Sequence, residues 1–166
     1  MKTIISHPAA ARPVLQSLAH EQVEEIWTLA LGPKLELLAL DKTFRGTRDK
    51  CLFHPREVFE FVLRNRASSM ILAHNHPSGS PQPSLPDFNI TRRMIFLSQT
   101  LQVPMVDHLI VAQTELYSFR QNHKDLFEKF QSIEGYSDDE LEWISRTPVT
   151  EPLLQKTPDR VQAQSF

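Results

Sequence analysis

The sequence predicts an α/β domain of stacked layers, and three observations support that prediction. Short apolar runs that suit buried strands alternate with segments in which apolar residues recur at helical spacing. The chain has 166 residues, enough for one domain with a sizeable core. The composition becomes acidic and proline-rich towards the end of the chain. We therefore expect a flexible arm over residues 1–12, a domain over 13–120 and an acidic tail over 121–166.

The first predicted helix begins at Pro13, a residue suited to a first helical turn, and its apolar residues recur at helical spacing up to Val23. Two short apolar runs follow, IWTLAL (26–31) and LELLAL (35–40). The Gly-Pro pair between them predicts a strand, a turn and a second strand.

Residues 48–53 (RDKCLF) predict a further strand, and residues 54–66 (HPREVFEFVLRNR) predict a helix that starts at Pro55. The helix carries one apolar stripe. Its members are Val58, Phe59, Val62 and Leu63.

The second half of the domain repeats the alternation of strands and helices. SSMILAH (68–74) is an uninterrupted short run, which predicts a central strand buried on both faces. A long helix is expected to begin at Ser84. VPMVDHLIVA (103–112) and ELYSF (115–119) predict two more strands that complete the sheet.

The tail differs in composition from the domain. Residues 121–166 hold 5 Lys and Arg against 9 Asp and Glu. Ser137 and Glu140 stand at capping-box spacing, which predicts a short helix there. The last segment, residues 147–166, is polar and rich in proline, and is expected to be disordered.

Composition restricts the function classes. The formal net charge is −2, which gives no indication of a nucleic-acid surface. Cys51 is the only cysteine, so no disulfide can form within the chain and a reducing cytoplasm is expected. The first residues lack the apolar run of a signal peptide and no stretch reaches the length of a membrane span, so no membrane association is expected.

Residues 73–87 (AHNHPSGSPQPSLPD) hold the strongest functional signal. His74 and His76 are two apart on an extended segment, so their side chains point the same way. Asp87, in the first turn of the next helix, offers a third ligand. Two imidazoles and a carboxylate leave a fourth position for water, which is typical of catalytic zinc, whereas structural zinc takes four ligands, mostly cysteine.

The residues between the ligands favour the same interpretation. Pro77, Pro81 and Pro83 stiffen the connection and Gly79 lets it bend, so little entropy remains to be lost when the ligands meet. Ser84 is a good N-cap with Asp87 three residues later. Taken alone, Ser-x-x-Asp is more often a simple capping motif than a ligand site. The combination with His-x-His favours metal.

HNHPSGSPQPSLPD (74–87) resembles the JAMM zinc motif of the JAB/MPN metallopeptidases, and the chain is most similar to their RadC-like branch. Flanking segments carry the same resemblance, which covers roughly residues 20–120. These segments are FRGT (44–47), HPREVF (54–59), ILAHNHPSG (71–79), VDHLIVA (106–112) and YSF (117–119).

This resemblance implies a three-layer α/β/α fold of the cytidine-deaminase-like type with a mixed central sheet. It implies Zn²⁺ held by His74, His76 and Asp87, with Ser84 helping to stabilise an oxyanion. It also implies an upstream glutamate as general base. Glu24 and Glu25 both precede IWTLAL, and the apolar positions of that strand favour Glu24.

Other polar residues near these segments are expected to have structural roles. His108, next to Asp107, is expected to orient strand contacts rather than to bind metal. Asp107 remains a candidate for accepting a hydrogen bond from a ligand imidazole.

Two functions are carried forward. The first is a zinc-dependent hydrolase that cleaves a peptide or isopeptide bond in a peptide or protein substrate through a zinc-bound water. The second is a DNA-repair-associated or protein-interaction module of RadC type with little or no catalytic activity. The complete ligand set favours the first, and the lack of a basic patch weakens nucleic-acid binding. The natural substrate and the oligomeric state are not predicted.

Overall fold

The computed structural model describes residues 2–46 and 54–129, together with Asp139, Leu141 and Glu142. Its strands are β1 (Glu25–Leu31), β2 (Leu37–Arg45), β3 (Ser69–His74), β4 (Met105–Val111) and β5 (Leu116–Ser118). Its α-helices are α1 (Pro8–Leu15), α2 (Pro55–Arg64), α3 (Leu85–Thr100), α4 (Phe119–Asn122) and α5 (Lys124–Lys129). A 3₁₀ helix, Gln16–His20, continues α1.

The five strands form one mixed sheet in the order β2-β1-β3-β4-β5. β1 is antiparallel to both β2 and β3, β3 is parallel to β4, and β4 is antiparallel to β5. β3 is the central strand and all its residues are buried, as the apolar run predicted. Helix α3 supplies the crossover between the parallel strands β3 and β4.

Helices cover both faces of the sheet, so the predicted three-layer α/β/α fold class is confirmed. On one face, α2 and α3 pack over the larger core, whose fully buried residues include Val58, Val62 and Met94. On the other face, α1 and the 3₁₀ helix pack over a smaller core that includes Leu15 and Leu18.

Local sequence explains where the helices of the larger layer begin. Pro55 occupies the first turn of α2, and the buried residues Val58, Phe59 and Val62 follow at helical spacing. The prediction that Leu63 belongs to the same stripe is wrong, because its side chain is 51% exposed. Helix α3 begins after Ser84, which forms a complete capping box with Asp87.

The amino-terminal arm is packed, which corrects the expectation of a flexible segment over 1–12. Residue Ile4 bridges to Glu36, and the Ile5 backbone N–H donates to the Leu35 carbonyl at 2.8 Å. The Ile5 side chain is 2% exposed in the smaller core, where burying a side chain of that kind contributes about 1.5–3 kcal/mol. Helix α1 begins at Pro8 rather than Pro13.

The core also extends past the predicted boundary at residue 120. Phe127 of α5 is 4% exposed and belongs to the larger core. In the segment predicted to form a short helix, Asp139, Leu141 and Glu142 are helical, and Leu141 packs against that core. The strand predicted over 48–53 and the disorder predicted over 147–166 lie outside the described residues.

The pairing of β1 with β3 positions the candidate site. Ile26 lies opposite His74, and the register continues without a shift to Leu31 and Ser69. The end of β3 therefore meets the start of β1 at one edge of the sheet.

Among the described residues, no helix is both long enough and apolar enough to cross a membrane.

Candidate metal centre

His74, His76 and Asp87 converge at the carboxyl end of β3. His74 is the last residue of the strand and His76 follows two residues later, with both imidazoles on the same side. Their Nε2 atoms lie 3.0 Å apart. Asp87 Oδ1 is 3.1 Å from His74 Nε2, and Asp87 Oδ2 is 3.3 Å from His76 Nε2.

The helix cap of α3 fixes Asp87 in this position. The Ser84 backbone N–H and the Ser84 hydroxyl both donate to Asp87 Oδ2 at 2.6 Å. Burial acts to raise the pKa of Asp87, but the adjacent imidazoles of His74 and His76 outweigh it and hold that pKa well below its usual range. The positive end of the α3 dipole favours the same ionised state. Asp87 is therefore ionised at neutral pH and could serve as a carboxylate ligand.

The outer nitrogen of His76 is occupied by a backbone carbonyl. His76 Nδ1 lies 2.9 Å from the Ser80 carbonyl oxygen, which can only accept, so Nδ1 must carry the hydrogen. In the neutral ring, Nε2 then keeps its lone pair and faces Asp87. The adjacent Asp87 carboxylate raises the pKa of His76, because it stabilises the protonated imidazole.

The outer nitrogen of His74 meets a second histidine. His74 Nδ1 lies 2.9 Å from His108 Nε2, and His108 Nδ1 lies 2.6 Å from Thr91 Oγ1. Burial lowers the pKa of His108 well below its usual value, and the nearby His74 acts in the same direction. Phe119 stacks on the His108 ring, with ring centroids 5.0 Å apart and planes 11° from parallel.

The donor set fits a zinc ion. It offers two imidazole nitrogens and one carboxylate, with the ligand atoms of the three residues within 4.8 Å of one another. Catalytic zinc sites commonly have three such protein ligands and keep a fourth position for water or substrate. Both outer imidazole nitrogens have hydrogen-bond partners that orient the rings, as is usual for metal-binding histidines.

Glu24 and Glu25 lie on opposite sides of the start of β1. Glu24 lines a surface cleft of about 380 Å³ together with His76 and Asp87. Burial raises the pKa of Glu24, while the nearby His74 partly offsets that rise. Glu25 is fully buried away from the cleft and accepts a hydrogen bond from Trp27 Nε1 at 2.8 Å.

Ser84 contacts the candidate ligand Asp87, whereas the hydrogen bonds of Asp107 are made with other residues. Ser84 lines the same cleft, and its hydroxyl hydrogen is directed at Asp87 in this structure. Asp107 makes no hydrogen bond with the imidazole of His74 or His76, so the prediction that it accepts from a ligand imidazole is wrong. Its carboxylate accepts from the Ser118 hydroxyl and from the backbone N–H groups of His108 and Arg120.

Asn75 was not predicted to have a role, yet it ties the two sides of the site together. Its side-chain oxygen accepts from the Glu25 backbone N–H at 2.8 Å. Its amide group donates to the carbonyl oxygens of Glu21 and Val23, each at 3.1 Å. The side chain between the two ligand histidines therefore holds the segment that carries Glu24.

Gly46 holds the other side of Glu24. Its N–H donates to the Glu24 carbonyl at 2.8 Å, and a Cβ at this position would lie 3.1 Å from that oxygen. A side chain at residue 46 would push against the Glu24 backbone.

No role for Thr91 or Phe119 was predicted from the sequence either. Thr91 stands four residues after Asp87 on one helix, which places both on the same face. That spacing was a usable signal for Thr91. Phe119 reaches His108 only through tertiary packing, which local sequence does not indicate.

Comparison with known proteins agrees with this geometry. The sequence model of one protein family, described as "RadC-like JAB domain", matches residues 5–124. A UPF0758 protein of Symbiobacterium thermophilum is 39% identical over 104 residues, which cover 63% of this chain and 44% of that protein.

Two further relatives cover more of the chain. A UPF0758 protein of Trichodesmium erythraeum is 38% identical over 73% of this chain and 50% of its own length. A UPF0758 protein of Moorella thermoacetica is 35% identical over 74% of this chain and 54% of its own length. The chain spans about half the length of these curated relatives, and their names assign no activity.

Proposed function

This chain belongs to the RadC-like JAB domain family, and from that premise we propose that it is a zinc-dependent hydrolase of peptide or isopeptide bonds. The observation that carries the proposal is the placement of Glu24. A partly buried carboxylate with a raised pKa lines the same cleft as the metal ligands His76 and Asp87. A site that only held a structural metal would have no need of that group.

The chain supplies a base beside the reacting position. Zinc, when bound, supplies Lewis acidity that polarises a carbonyl and lowers the pKa of water. We propose that Glu24 accepts a proton from the attacking water and passes it to the leaving amine. Its raised pKa brings it closer to the operating pH, where a general base and acid is most effective.

Ser84 is the candidate donor for the oxyanion. Its hydroxyl lies in the cleft, and in the resting arrangement it donates to Asp87 Oδ2 at 2.6 Å. To act on substrate it must turn from that oxygen towards the developing negative charge. Asp87 keeps the Ser84 backbone N–H as a partner during this change. One such donor contributes about 3–4 kcal/mol in well-characterised acyl-transfer sites.

The lining of the cleft supports a peptide-like substrate. Pro77, Pro83 and Pro86 give apolar walls, while Ser78, Ser80 and Gln82 give uncharged polar ones. Apolar walls with a few polar groups suit an extended chain of neutral residues better than a polyanion. The alternative module with little or no catalysis would require no glutamate beside the ligands.

A peptide-cleavage assay tests the proposal. The full chain is loaded with zinc and incubated with a mixed peptide pool, and new peptide ends are identified by mass spectrometry. The proposal predicts cleavage that stops when a chelator removes zinc and returns when zinc is restored. Glu24→Gln, loaded with zinc to the same content, serves as the control. Equal cleavage by this variant, or no cleavage by the native chain with peptides and isopeptide conjugates alike, would overturn the proposal.

A further inference from the structure

We propose that His108 is a positioning residue, which acts with Thr91 to direct the lone pair of His74 Nε2 at the metal. The inference rests on the proposed zinc site, but not on catalysis. It assigns the donor in each of three hydrogen bonds that lead from the backbone of Asp87 to the side chain of His74.

The chain of hydrogen bonds starts at the backbone of Asp87. Thr91 Oγ1 lies 2.6 Å from the Asp87 carbonyl oxygen. A carbonyl oxygen has no hydrogen, so the Thr91 hydroxyl must donate its single hydrogen to it. Thr91 Oγ1 can then only accept in its second contact.

That second contact is with His108 Nδ1 at 2.6 Å. Because Thr91 accepts, His108 Nδ1 carries a hydrogen. The His108 ring is 1% exposed and packs flat against Phe119. Such surroundings favour the neutral ring, whose other nitrogen, Nε2, has a lone pair and no hydrogen.

The last contact fixes His74. His108 Nε2 lies 2.9 Å from His74 Nδ1, so the hydrogen between them belongs to His74. His74 Nε2 is then the bare nitrogen, and it is the atom that faces His76 and Asp87. A hydrogen placed on His74 Nε2 would block metal binding at that atom.

The hydrogen-bond chain links the backbone of Asp87 to the ring of His74, which lies beside the Asp87 side chain. Asp87 receives the Thr91 hydrogen at its backbone carbonyl, and its side chain is a ligand beside His74. Thr91 is fully buried. This burial keeps water away from the hydrogen-bond chain, which connects the proposed ligands His74 and Asp87. A neutral acceptor also adds no negative charge, so a zinc ion held by His74 would lower the pKa of its water more than it would with a carboxylate as the partner of His74.

The test uses matched variants of the full chain. His108→Phe fills the space and removes the acceptor, whereas His108→Gln keeps an acceptor and a donor. Thr91→Val removes the hydroxyl at almost constant volume, and Thr91→Ser keeps it. Zinc affinity is measured by competition with a chromophoric chelator, and thermal unfolding of the metal-free proteins checks that each one folds.

We expect His108→Phe to weaken zinc binding about 10- to 100-fold, the usual cost of losing a partner of a metal-binding histidine. His108→Gln should recover most of that loss. Thr91→Val should weaken binding and Thr91→Ser should not. Native affinity in both His108→Phe and Thr91→Val would overturn the inference, as would equal losses in both members of each pair.

Nitrogen-15 NMR of the native chain gives a second readout that needs neither activity nor metal. We expect His108 to carry hydrogen on Nδ1 alone, with a scalar coupling across the hydrogen bond from His74 Nδ1 to His108 Nε2. A hydrogen on His108 Nε2 would overturn the inference. If the native chain binds no zinc, the proposed function fails, but this spectrum still decides the assignment of His108.

Discussion

Ile26 and His74 lie directly opposite each other on the antiparallel strands β1 and β3. Side chains alternate along a strand, so residue 24 falls on the face of His74 and residue 25 on the other. This one pairing decides which of two adjacent glutamates meets the metal ligands. Glu24 lines their cleft, while Glu25 lies beside Trp27.

Replacement of the two glutamates should therefore have different consequences. Glu24→Gln fills the same space but cannot accept a proton, so we expect zinc to be retained and the hydrolytic rate to fall about 100- to 10,000-fold. The measurement is the rate of peptide cleavage by protein of matched zinc content. Loss of zinc in step with activity would make Glu24 a structural support of the site.

Glu25→Gln should act on stability instead. The buried Glu25 carboxylate lies 3.5 Å from Lys42 Nζ and 3.4 Å from Arg45 Nε. Loss of this charge should lower the free energy of unfolding by about 1–2 kcal/mol, with the rate per folded molecule unchanged. Chemical denaturation measures the first and the cleavage assay the second. A large fall in rate with native stability would show that the register assigned here is wrong.

Asn75→Ala should loosen the strand entry that carries Glu24. It removes the acceptor for the Glu25 N–H and the donors to Glu21 and Val23. Because these backbone groups are buried or partly buried, we expect a loss of about 1–3 kcal/mol in the free energy of unfolding. The cleavage rate should fall as well.

The matched control is Asn122→Ala. Asn122 is exposed and makes one local hydrogen bond, to the Ser118 carbonyl. Its replacement should change the free energy of unfolding by less than about 0.5 kcal/mol. Equal effects of the two substitutions would show that Asn75 does not hold the site together.

The two parts of the tail should contribute differently to stability. Phe127 is buried in the larger core, so Phe127→Ala should cost about 3–5 kcal/mol. Deletion of residues 147–166, a polar and proline-rich segment, should scarcely change the melting temperature. Thermal unfolding of both variants checks this. A fall of about 10 °C on deletion would mean that the segment packs on the domain.

Local sequence was enough to predict most of the elements that build the site. The apolar run 68–74 predicted β3, and Ser84 predicted the start of α3, because both signals lie within a few residues of what they determine. The ligand set was also local, since its three members fall within 14 residues. Those features depend on spacing along the chain and not on tertiary structure.

The remaining features depend on pairing between distant segments. His108 reaches His74 because β4 lies parallel to β3, with Leu72 opposite His108. The packed amino terminus depends likewise on residues 3–5 meeting residues 35–37. A helical period beginning at Pro13 does not reveal that contact. The register between strands that are distant in the chain could therefore not be predicted from local sequence patterns.

His74, His76 and Asp87 are proposed to hold one zinc ion for catalysis. X-ray absorption spectroscopy of the zinc-loaded chain, combined with elemental analysis, tests this proposal because it reports both the ligands and the stoichiometry. We predict about one zinc per chain, bound by two imidazoles and by oxygen, with no sulfur. His74→Ala, His76→Ala and Asp87→Ala should each abolish stoichiometric binding, while His20→Ala, at an exposed histidine, should retain it. Sulfur among the ligands, or full zinc content in any of the three ligand variants, would show that these residues do not form the proposed zinc site.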